Sequence, residues 1–119
     1  MNYVEISRKV SEAVYAHDEA FYQKHKDCLD FGHCGSAVVL LSFGRKRKIK
    51  NDFIEADLIS ENRTWSSYGH KEYVFSLPSS IIPTQYMEFY VNRAKAAVDV
   101  LREELDGSGV EVNLHSWVD

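Results

Sequence analysis

Cysteine, proline and long apolar runs are all scarce in this chain, and each shortage removes a class of protein. The two cysteines, Cys28 and Cys34, lie six positions apart and could be bridged in principle, but in a reducing cytosol they read as two free thiols. At 119 residues the chain can bury most of the apolar surface it would expose unfolded, so no staple is needed. No apolar stretch approaches the roughly 20 residues of a membrane span, and the polar start Met1-Asn2-Tyr3-Val4-Glu5 is not a secretory signal. A cytoplasmic protein without a membrane partner is expected. Glycine-rich phosphate loops, a His-Glu-x-x-His pair, internal repeats and low-complexity tracts are missing, and no pair of carboxylates is placed by more than chance.

What remains is the composition of an ordinary globular domain, 45% hydrophobic, 13% aromatic and 27% charged, and a single domain over 1–119 is predicted. Tyr3, Ile6, Val10, Ala13, Val14, His17, Ala20 and Phe21 recur at three- and four-residue steps, which predicts an amphipathic helix over about Asn2 to His25, with Asp18 among the polar positions. Ser36 to Phe43 lacks polar alternation and predicts a strand covered on both faces; Gly35 before it marks a tight bend or a close approach of backbone. A short helix near Lys48 carries Ile49, Phe53 and Ala56 inward. Thr64 to Tyr68 and Glu72 to Leu77 read as a hairpin turning at Gly69 and closed by Pro78. Pro83 and Thr84, the latter as N-cap, announce a long helix that buries Phe89, Ala94, Ala97, Val98, Leu101 and Leu105, and Val110, Val112 and Leu114 form a closing strand. The predicted fold is α+β: a small mixed or antiparallel sheet of three to four strands against two long helices and one short one, with Ser36 to Phe43 central.

Cys34-Gly35-Ser36-Ala37-Val38 leads into the hydrophobic strand, and Arg93-Ala94-Lys95-Ala96-Ala97-Val98-Asp99-Val100-Leu101-Arg102 is an alanine-rich helix preceded by Gln85 and followed by a short closing strand and a terminal Asp. In these segments, over roughly residues 32 to 119, the chain resembles a family of small uncharacterised proteins encoded by bacteriophages and prophages, departing from it in Val38, where that family tends to have Trp, and in a longer basic turn. The resemblance implies an accessory protein working inside an infected or lysogenic bacterium, and brings no activity with it.

Gly44-Arg45-Lys46-Arg47-Lys48-Ile49-Lys50 places five cations in six positions after the glycine, at the predicted start of a helix whose macrodipole opposes them. The other nine Lys and Arg face 18 Asp and Glu, so the run is a local positive patch on a body of about −9. Such a patch suits an acidic protein surface or phosphates, or is a solvated loop paired with Asp52, Glu55 and Asp57. Trp65, Tyr68, His70 and Tyr73 form an aromatic cluster that serves either cross-strand pairing or recognition. His25, Cys28, His33 and Cys34 have a metal-ligand flavour, but adjacent His33 and Cys34 lack the spacing of a zinc knuckle. Cys34 is expected to be a buried apolar filler, with an enzyme acting through it as an outside alternative. The expectation is therefore a non-enzymatic protein without cofactor or metal, whose partner-binding residues are Arg45, Lys46, Arg47, Lys48, Lys50, Trp65, Tyr68 and His70. Its partner would be a host protein, in the manner of anti-CRISPR or anti-restriction proteins. A nucleic-acid-binding role for residues 45–50 is the second reading, and a homodimer is left open.

Overall fold

Four segments of the computed structural model hydrogen-bond into one antiparallel sheet, and three helices lie along it; residues 1–29, 32–61 and 71–118 are described. In chain order the elements are α1 (Tyr3–His25), β1 (Gly35–Ser42), α2 (Arg47–Glu55), β2 (Ile59–Glu61), β3 (Glu72–Phe75), α3 (Met87–Glu104) and β4 (Glu111–Val118). The strand order is β2-β3-β1-β4, so β1 is central, as its apolar run predicts. The fold is α+β, with two long helices and one short.

α1 starts where Asn2 Oδ1 accepts the Glu5 N–H at 3.0 Å, and its last turn carries Lys24 and His25, which complement the helix dipole. Its buried stripe, Ile6, Val10, Val14 and Asp18, advances in steps of four. α3 offers the facing stripe of Ala94, Ala97, Val98 and Leu101, in which the alanines let the two helix axes approach closely. Below them, alternate residues of each strand point into the same core: Ala37, Val39, Leu41 and Phe43 from β1 and its exit, Ile59, Tyr73 and Phe75, Val112 and Leu114. α2 joins this side through Phe53, which has no exposed surface and meets the rings of Tyr3 at 5.0 Å and Phe43 at 5.7 Å. All three helices thus cover one face of the sheet. Leu40, pointing the other way between Val74 and Asn113, is only 5% exposed, so the middle of β1 is buried on that face as well.

Gly35 is the close approach that its position suggests. A Cβ there would lie 2.5 Å from the Trp117 carbonyl oxygen and 2.7 Å from the Met87 side chain. α3 starts later than its sequence predicts. Thr84 is not the N-cap: its hydroxyl donates to the Leu29 carbonyl and accepts the Tyr86 N–H at 3.1 Å. The segment before α3 is held extended instead, by the Cys34–Tyr86 bridge, Gly35 N–H to Gln85 carbonyl (3.2 Å) and Met87 N–H to His33 carbonyl (2.8 Å). Two further expectations change. Cys34 is exposed, because this bridge pairs its backbone at the sheet margin, and it is not a core filler. Asp18 is buried, not on the wet face. The predicted strand Thr64 to Tyr68 lies outside the described residues; among those described, β3 pairs with the short β2, Ile59 opposite Phe75.

Candidate functional site

Phe43, buried at the end of β1, and Phe53, buried in α2, hold the nine residues between them as a fixed turn and helix. Gly44 turns the chain at φ 56° and Lys46 N–H closes the turn on the Phe43 carbonyl at 2.8 Å. α2 then begins with Lys46 at the N-cap position and no side chain capping it, and its first turn holds no acidic residue. Arg47, Lys48 and Lys50 follow within that turn, so the cations sit where the helix dipole disfavours them, as the sequence predicts. The stem of Lys46 runs along the turn between α3 and β4, since a Cβ on Gly109 would come within 3.0 Å of Lys46 Cε.

One of the five cations is tied down. Lys48 Nζ lies 3.1 Å from Asp52 Oδ2, which also accepts the Tyr3 hydroxyl at 3.0 Å, and these contacts hold the Asp52 carboxyl below the usual carboxylate range, Lys48 contributing most. Arg45, Lys46, Arg47 and Lys50 make no ion pair with any described residue. The structure thus gathers Arg45, Lys46, Arg47, Lys48 and Lys50 at one end of the sheet, while the expected companions Trp65, Tyr68 and His70 lie outside the described residues; Tyr73 is a core residue of β3, 7% exposed.

A second polar arrangement escaped sequence reasoning. Asp18 and Arg93, each 6% exposed, meet across the α1–α3 interface, with Arg93 Nε 3.0 and 3.1 Å from the two carboxylate oxygens. Arg93 also donates to the Pro78 carbonyl, and His17 Nδ1 lies 3.0 Å from Asp18 Oδ1. The signal was present as spacing: each charge sits four residues beyond a buried apolar residue, Val14 and Phe89. Beside it opens a cleft of about 200 Å³ lined by residues that include His17, Phe21, His25, Tyr86 and Glu88. Asp18 steadies His17, but its oxygens are shared with the guanidinium, so the group serves first as a clamp between helices. Among the described residues no cluster of three or more His, Cys, Asp or Glu is arranged around a metal-sized position, and His25, Cys28, His33 and Cys34 form none.

Compared with protein-family models, with curated proteins and with solved structures, the chain matches none.

Proposed function

We propose that the protein acts by binding, without chemistry of its own, and that it presents Arg45, Lys46, Arg47 and Lys50 to an acidic surface of a partner protein. The observation that carries this reading is that these four cations are fixed by a turn between two buried phenylalanines yet have no counter-charge among the described residues. Charges kept at a helix start against the dipole cost a few tenths of a kcal/mol each and do nothing for packing, which fits a surface kept for contact. A local positive patch on a body of about −9 favours a compact acidic target over a long polyanion, which the rest of the surface would repel. The resemblance to phage and prophage proteins points to a host defence or nucleic-acid-handling protein inside the bacterial cell. Such proteins carry acidic catalytic pockets that a basic turn would block.

The test replaces Arg45, Lys46 and Arg47 with Gln and leaves Lys48 and its Asp52 contact intact. The melting temperature should stay the same or rise by a few degrees, because three unfavourable charges leave the helix start. Affinity capture from host cells should recover a partner with the wild type and lose it with the triple variant and at raised salt. Duplex DNA and RNA should bind no tighter than non-specific levels of about 10⁻⁴ to 10⁻⁶ M at physiological salt. Sub-micromolar binding with a steep salt slope would instead establish nucleic acid as the ligand, and unfolding of the triple variant would make the patch structural.

A further inference from the structure

The two edges of the sheet are built differently. β2 closes one side with three residues, of which Ser60 and Glu61 are exposed and Glu61 pairs with Lys71 at 2.9 Å; a short charged edge of this kind resists another strand. β4 closes the other with eight residues in unbroken register with β1, and from Leu114 to Val118 it has no Asp, Glu, Lys, Arg, proline or bulge. The Gly35 N–H turns away from β4 to the Gln85 carbonyl, so Gly35 and Val118 are a pair without mutual hydrogen bonds. By the alternation of an antiparallel ladder, so are Ala37–Ser116, Val39–Leu114 and Leu41–Val112. The N–H and C=O groups of Val112, Leu114, Ser116 and Val118 therefore point out of the sheet. Arg102 confirms the direction, for its Nε and Nη2 cap the Val112 carbonyl from outside at 3.1 and 2.8 Å.

We infer that Leu114–Val118 is a self-pairing edge, on which a second copy of this chain lays its own β4 antiparallel across a two-fold axis. The register follows from what is already occupied. With Val112 capped by Arg102, the outward groups left are those of Leu114, Ser116 and Val118, and a two-fold at Ser116 pairs them with the partner's Val118, Ser116 and Leu114. On the same strands no like charges stand opposite one another. Val118, 63% exposed in the single chain, is then covered by the partner's Leu114. A second copy fits because the uncharged segment complements itself residue for residue. The joint lies beside the Gly35 half of β1, so the basic turns that follow Ser42 stay free, on opposite rims of an eight-stranded sheet. This pairing does not depend on what the basic turn binds.

Sedimentation velocity over a range of micromolar concentrations should show a dimer for the wild type and a monomer for Val118→Lys, whose exposed position leaves the far-ultraviolet spectrum and the thermal transition unchanged. In a Cys28→Ser, Cys34→Ser background, Ser116→Cys brings two thiols opposite each other at a Cα separation of about 5.5 Å, within disulfide reach, and mild oxidation should trap a covalent dimer. Ser60→Cys on the other edge should not cross-link. A wild type that stays monomeric at every concentration overturns the inference, as does a dimer whose Ser116→Cys form cross-links no faster than Ser60→Cys.

Discussion

Asp18 and Arg93 show how two residues on the wrong-looking face of a helix can set its docking. Both charges are withdrawn from water, which is costly, and each is held only by the other and by neighbouring polar atoms, His17 Nδ1 and the Pro78 carbonyl. Removing one partner strands the other in the interface, whereas replacing both with apolar groups of similar size removes the penalty along with the attraction. Arg93→Met should therefore lower the unfolding free energy by about 3 kcal/mol or more, and the double variant Asp18→Leu, Arg93→Met should recover most of that loss in urea denaturation. Equal midpoints for the single and double variants would show that the pair does not clamp α1 to α3. Residue type misleads at Asp18, since a carboxylate between Val14 and Tyr22 reads as solvated. Only its step of four from Val14, matched by the step from Phe89 to Arg93, places both on buried stripes. Cys34 misleads in the opposite sense: a residue type that is usually buried lies exposed, because backbone pairing with Tyr86 fixes where it points.

α2 is the element whose ends both run against local preference. Its start gathers cations, and its end turns through Asp57 at φ 58°, a left-handed conformation in which glycine is at ease and other residues are strained. The closure is a Schellman motif: Asp57 N–H reaches the Ile54 carbonyl and Leu58 N–H the Phe53 carbonyl, both at 3.0 Å, with Leu58 packed on the core that holds Phe53. Asp57→Gly should raise stability by about 0.5–1 kcal/mol, read as a higher urea midpoint at unchanged slope. A lower midpoint would mean that the Asp57 side chain contributes something the backbone does not. The long helices were legible because their apolar periodicity extends over many turns, and β1 because its run is continuous. β2 was not, since three residues carry no period. The start of α3 was misplaced because Thr84 has the chemistry of a cap, and only the distant Cys34 strand, pairing with Tyr86, keeps 84–86 extended.

At the scale of the whole molecule, the basic turn was legible because its residues are contiguous, whereas the edge position of β4 was not, because it depends on strand order. The turn also reaches beyond its own segment. Asp52 ties Lys48 in α2 to Tyr3 at the start of α1, closing the end of the core where Phe53 meets the Tyr3 ring. Its carboxyl is held below the ordinary value of 3.8, first by Lys48 and then by the Tyr3 hydroxyl, and Glu5 is likewise held low by Arg8. A carboxyl depressed in the folded state binds protons more readily once the chain unfolds, so its stabilisation is complete above the ordinary value and disappears as the pH falls through the folded one. The melting temperature should therefore hold level above about pH 5 and drop below about pH 4. Asp52→Asn should melt below the wild type on the plateau, and the gap should close as the pH falls through the folded-state value, where both carry a neutral group. A gap that persists unchanged in acid would show that Asp52 acts through shape and hydrogen bonding, independent of its charge.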